Sequence, residues 1–89
     1  MPTLTIDQMD HNALSLAIAL ADVADTGRWT HHGDGVIGAD VDGFEVIVSV
    51  QEDGTVSVAR YDESGEDIEA EEDDIPYDVE AVRAAIEAL

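Results

Sequence analysis

Residues 13–24 are apolar except for Ser15 and Asp22. Around that run, Ile6, Met9, Ala13, Leu16, Leu20 and Val23 recur at alternating steps of three and four, which is one stripe of a helix. Leu14, Ile18 and Ala21 form a second flank, joined to the first through Ala17 and Ala24. The pattern predicts a helix over residues 6–25. Thr5 and Gln8 fit a capping box, and Leu4 and Met9 occupy the matching staple positions. Asp7 and Asp10 suit the positive end of the helix dipole, and Gly27 suits its termination. The remaining side, Ser15, Ala19, Asp22 and Thr26, holds one acid in an acid-crowded chain. It predicts a helix covered on more than one side.

After a loop over 28–35 the period changes from helical spacing to two. Residues 36–41, 44–51 and 55–61 read as strands of a meander. Asp42-Gly43 is a two-residue hairpin signal. It sets Val41 opposite Phe44, Ala39 opposite Val46 and Ile37 opposite Val48. A three-residue turn ending in a left-handed Gly54 sets Val50 opposite Val56 and Val48 opposite Val58. A two-residue turn would split the apolar face, and a one-residue slip turns every side chain over, so burial selects the longer turn. The inner face is then Ile37, Ala39, Val41, Phe44, Val46, Val48, Val50, Val56 and Val58.

Residues 62–80 hold eleven acids and read as a solvated segment. A short fourth strand at 67–71 is an option there, with Ile68 opposite Arg60 and Ala70 opposite Val58, although Glu and Asp are poor strand formers. A second helix is expected over 78–88. Asp78 caps it, Tyr77 and Val82 staple it, and Val79, Val82, Ile86 and Leu89 form its stripe. Arg83 is placed to pair with Glu80 and Glu87 on the exposed side. The expectation is one α+β domain over 1–89. It is a two-layer sandwich in which a three- to four-stranded antiparallel meander is flanked by an N-terminal and a C-terminal helix.

Charge changes this picture most. The 89 residues include 22 acids and three basic residues, for a formal net charge of −19. The basic residues are Arg28, Arg60 and Arg83, and lysine and cysteine are absent. A domain this short has a thin core and cannot use disulfides, so oligomerisation is the expected compensation. The charge destabilises the compact state by self-repulsion. The screening length is about 8 Å at physiological ionic strength and about 3 Å at 1 M, so molar salt quiets neighbouring carboxylates. The composition resembles that of proteins from salt-loving cells that hold molar potassium chloride. Disorder would share the charge, but not the 45% hydrophobic content or its clear periods. Met1-Pro2-Thr3-Leu4-Thr5 lacks the basic region of a secretory leader, and no apolar run approaches a membrane span. A cytoplasmic, halophilic protein is expected.

Candidate chemistry is sparse. His31, His32 and Asp34 offer the ligand types of a metal site. Neighbouring histidines on an extended segment point apart, however, and a structural zinc ion takes four ligands. Asp40-Val41-Asp42-Gly43 fails the EF-hand register, because the twelfth position is Ser49. No phosphate loop, nucleophile elbow or basic stripe is present, which disfavours an enzyme and direct nucleic-acid binding. No cofactor is implied, and cations are expected only as a nonspecific atmosphere. Trp29 is expected as a lid over the core.

The most informative surface is the other sheet face: Glu45, Ile47, Ser49, Gln51, Thr55, Ser57, Ala59 and Tyr61. Seven of these eight carry no charge, as interface centres tend to. The expected function is a noncatalytic protein-interaction module acting as a homodimer. It would work through Ile47, Ser49, Gln51, Thr55, Ser57, Ala59 and Tyr61, or through the flank of the first helix. The alternative is a small-molecule or metal-binding protein using the Trp29/His31/His32 loop or the space between sheet and helix.

Overall fold

A computed structural model describes residues 3–89. Met1 and Pro2, part of the start read above for a leader, lie outside the described residues. The elements run α1 (Ile6–Ala19), β1 (Thr30–Gly33), β2 (Val36–Val41), β3 (Phe44–Val50), β4 (Val56–Tyr61), β5 (Ile68–Ile75) and α2 (Val79–Ala88). The fold is α+β. The strands form one open antiparallel sheet in the order β1-β2-β3-β4-β5, so it has five strands where three or four were expected.

The central hairpins follow the apolar pattern. Ile37, Ala39 and Val41 face Val48, Val46 and Phe44. Val48 and Val50 face Val58 and Val56. Asp42 and Gly43 both take positive φ, 52° and 85°, which is the geometry a two-residue turn needs to match strand twist. Gly54 is left-handed at φ 88°, and the turn closes with Gln51 N–H on Thr55 O at 2.8 Å.

β1 corrects the expected loop. Asp34-Gly35 turns the chain at φ 52° and 79° and joins β1 to β2 as Asp42-Gly43 joins β2 to β3. The register skips between His31 and Gly33, which leaves His32 as a bulge. β5 is longer than the expected 67–71 and differs in register. Ile68 faces Tyr61 and Ala70 faces Arg60, with irregularities that absorb the remainder. Pairing with β4 overrides the poor strand propensity of its acids.

α1 begins with the capping box intact: Thr5 Oγ1 accepts from Gln8 N–H at 3.2 Å, and Gln8 Oε1 accepts from Thr5 N–H at 2.9 Å. It ends at Ala19 rather than 25. Beyond Leu20 the chain winds through tighter turns, with Val23 N–H on Leu20 O and Gly27 N–H on Ala24 O. The Trp29 indole N–H donates to Leu20 O at 2.9 Å, which satisfies a carbonyl the helix end leaves free. Trp29 is also packed against the core, as a lid would be.

Both helices lie on the inner face, α1 over β1–β3 and α2 over β4 and β5. The core is Met9, Ala13, Leu16 and Leu20 of α1 and its exit, Val82, Ala85 and Ile86 of α2, and the inner valines and isoleucines between them. No polar or charged side chain among the described residues is buried. Arg83 corrects another expectation: its main partner is Asp22, at 2.7 Å, and it also reaches Ala19 O at 3.3 Å. The sparse side of α1 is therefore where α2 ties on.

Two aspartates fasten the α1 segment to the sheet. Asp10 Oδ1 accepts from Gly35 N–H at 2.6 Å and meets His31 Nε2 at 2.9 Å. Asp25 accepts from Asp42 and Gly43 N–H, both at 2.8 Å. Each carboxylate thus receives backbone donors of one β-turn, and together they grip both ends of β2. No helix among the described residues is long and apolar enough to cross a membrane.

Candidate interaction surface

The helices leave the outer face of the sheet without a second layer. Register places its residues in rows across the strands. One row is Thr30, Gly38, Ile47, Ala59 and Glu71. The next is Gly33, Val36, Ser49 and Ser57. Charge enters these rows at the edge strand β5: Glu71 ends the first row, and the irregularity between Val56 and Val58 sets Asp73 and Asp74 beside Ser57 at the end of the second. Asp40 and Glu45 face each other one row beyond and begin the acidic border.

Of the seven residues read as interface candidates, Ile47, Ser49, Ser57, Ala59 and Tyr61 lie on strands of this face, each half-buried by its sheet neighbours. Gln51 and Thr55 lie in the β3–β4 turn instead. The Thr55 hydroxyl bridges Gln51 Oε1 at 2.8 Å and Asp53 Oδ1 at 2.6 Å, so these side chains close the turn. That hydroxyl, followed by the Thr55 N–H, holds the Asp53 carboxyl below its ordinary range.

Val36 and Gly38 belong to the same surface and were missed. The register that pairs Ala39 with Val46 also pairs Gly38 with Ile47, so the signal was present. Gly38 lets the surface close up. A Cβ there would lie 2.7 Å from Ile47 Cδ1 and 2.8 Å from His32 Nε2. Both side chains cross the bare backbone and leave the centre flat.

The bulge divides the two histidines. His31 turns to Asp10 on the helix side, whereas His32 lies over Gly38 on the outer face. Asp34 stays exposed in its turn. Among the described residues, no three His, Cys, Asp or Glu side chains gather closely enough to share a metal ion. The Asp10 carboxyl titrates below its ordinary 3.8, chiefly through the Gly35 N–H and then through His31. Asp22 is lowered by its hydrogen bond from Arg83 and Asp62 by its hydrogen bond from Ser64. These carboxylates are tied into turns and helix contacts.

A second apolar surface lies on α1. Leu14 is 44% and Ile18 81% exposed, and with Ala17, Ala21 and Trp29 they line a shallow groove. The periodicity marked Leu14, Ile18 and Ala21 as a flank. Only the packing shows that no element among the described residues covers them. The chain matches no family model, no curated protein and no solved structure.

Proposed function

We propose that this protein is a noncatalytic interaction module that pairs with a second copy of itself through the outer sheet face, in concentrated salt and in the cytoplasm. The observation that carries the reading is the pair of central rows, uncharged from β1 to β4 and without a second layer among the described residues, in a chain of net charge −19. A freely solvated sheet in so acidic a protein is expected to carry carboxylates on both rows.

A second copy is the occupant that suits this face. It brings an equally neutral and flat centre, and a twofold contact leaves the acids of both copies at the rim. Two sheets of small residues pack face to face about 10 Å apart. Five strands about 4.8 Å apart, with about four residues each at about 3.4 Å, outline roughly 330 Å² of flat sheet per copy. That is below the roughly 600 Å² per partner of small specific interfaces, so the dimer is weak and transient and depends on conditions.

Salt supplies the condition. Among the described residues, two acids meet an arginine: Asp22 with Arg83, and Glu69 with Arg60 at 3.5 Å. The others repel within and between copies until ions screen them. Sedimentation in 2–3 M potassium chloride is expected to show a dimer that dissociates as salt is lowered. Ser49→Glu with Ser57→Glu is expected to give a folded monomer. A wild-type monomer at high protein concentration refutes self-pairing. A double variant that stays dimeric refutes the sheet face. The exposure of Ile18 favours the α1 flank as the second reading, and dissociation by Ile18→Asp with the sheet variant still dimeric selects it.

A further inference from the structure

The inner face of the sheet is apolar along β3 and the start of β4, and then Arg60 breaks it. Arg60 pairs with the buried Val46, so its side chain enters the layer between sheet and helices. There it lines a cavity of about 300 Å³ at the seam between the α1 and α2 halves. The floor includes Val46 and Ile86, both buried, and Phe44, Val41 and Leu89 complete the apolar wall. Arg83 lines the same cavity, so two of the three basic residues of the chain converge on it. Asp22, Asp42 and Glu87, all exposed, form its rim.

Arg60 is incompletely satisfied. One terminal nitrogen donates to Leu89 O at 2.8 Å, the other is 3.5 Å from Glu69, and the guanidinium carbon lies 5.1 Å above the centre of the Phe44 ring. Its Nε is buried and has no hydrogen-bond partner among the described residues. Buried donors are nearly always paired, because an unpaired one has lost its water without replacing it. Capping the end of α2 explains one donor of this side chain and leaves the buried Nε–H unexplained.

We propose that the cavity binds a small organic carboxylate with a short apolar tail. Its head pairs with the guanidinium of Arg60, and its tail rests on Val46 and Ile86; Arg83, held by Asp22 at 2.7 Å, stands in the wall beside it. Arginine matches a carboxylate in two-point geometry, and a mostly apolar pocket with a few convergent polar groups is the usual form of a small-ligand site. The acidic rim repels such a ligand in dilute buffer. At molar salt the screening length of about 3 Å removes the rim's reach but spares a direct contact. Affinity therefore rises with salt, opposite to an ordinary exposed ion pair.

The test is titration of the isotopically labelled full chain in 2 M potassium chloride with hexanoate, 1-hexanol and acetate, followed by amide shifts. Hexanoate is expected to shift Val23, Val41, Ile86 and Leu89 with saturation, and to bind at least tenfold more tightly than either hexanol or acetate. Its affinity is expected to fall when salt is reduced to 0.2 M. Arg60→Met with a dispersed spectrum is expected to lose at least tenfold. The Ser49→Glu/Ser57→Glu protein is expected to bind as wild type does, because its changes lie on the other face. No saturable shift with hexanoate up to 10 mM overturns the proposal. So does equal binding of hexanol, which would leave Arg60 no role. If Arg60→Met does not fold, the three wild-type titrations decide.

Discussion

The two faces of β3 and β4 are built from alternate residues of the same segments and end in opposite situations. Val46, Val48, Val50, Val56 and Val58 point inward, and each is 3% exposed or less. Ile47, Ser49, Ser57 and Ala59 point outward and stay half-buried with no layer above them. Along these valines the inner face is a packed core, with both helices closing it and no polar residue among the described ones buried. The outer face avoids charge from β1 to β4 as a core does but lacks the packing of one: Ser, Ala and Gly surround Ile47 and Val36. A chain that places acids almost everywhere else has kept them from these rows between β1 and β4. The difference separates what folding requires from what folding leaves unexplained.

The comparison breaks most sharply at neighbouring residues. Val58→Asp buries a carboxylate with no partner, at a cost of several kcal/mol. Against a total stability of roughly 5–15 kcal/mol for a domain, it is expected to abolish a cooperative melt followed by circular dichroism in 2 M potassium chloride. Ser57→Glu, one residue away on the other face, is expected to change monomer stability by no more than about 0.5 kcal/mol. Equal losses would mean that the outer face is part of the core.

A milder version uses Val48→Ala, expected to cost about 1–3 kcal/mol in denaturant unfolding, against Ser49→Ala, expected to be near neutral. Trp29→Phe tests the lid of the inner layer. It keeps most of the ring and removes the indole donor from Leu20 O, for about 1 kcal/mol. A wild-type melt in this variant would show that water replaces the bond without loss.

The smallest effect sharpens how the inner layer is fastened. The Asp10 carboxyl titrates below 3.8 because its charged form accepts from Gly35 and meets His31. A lowered folded value means that its contribution is present above 3.8 and disappears as pH falls through that lower value. Asp10→Asn is therefore expected to be less stable than wild type at pH 7, with a gap that narrows as pH falls below 3.8. A gap that keeps its full width at pH 2 would assign the loss to shape rather than charge.

Legibility in the sequence followed the range of each interaction. The α1 capping box, the Asp42-Gly43 hairpin and the left-handed Gly54 were readable because each is decided within a few residues. The register of β2, β3 and β4 was readable because a slip would expose a row of valines. β1 was not, because Thr30-His31-His32-Gly33 has no apolar alternation and carries a bulge. Its one signal was Asp34-Gly35, the same turn chemistry as its successor. β5 was legible only as an option, because carboxylates hide a strand that exists by pairing with β4. Five of the seven candidate interface residues fell on the outer face. The other two were drawn into a turn by the Thr55 hydroxyl, a contact that spacing does not reveal.

By itself the sequence determined the alternation of the strands, the turns that reverse them, the helix start and the charge that any partner must accommodate. These are local or compositional properties, set by steric preference and by the period of apolar residues. Tertiary structure decided where α1 stops, which acid holds Arg83, how Asp10 and Asp25 reach turns 25 and 17 residues away, and that Arg60 opens onto a cavity. Those outcomes depend on groups far apart in the chain, whose meeting is worth its entropy only after the core has closed around them.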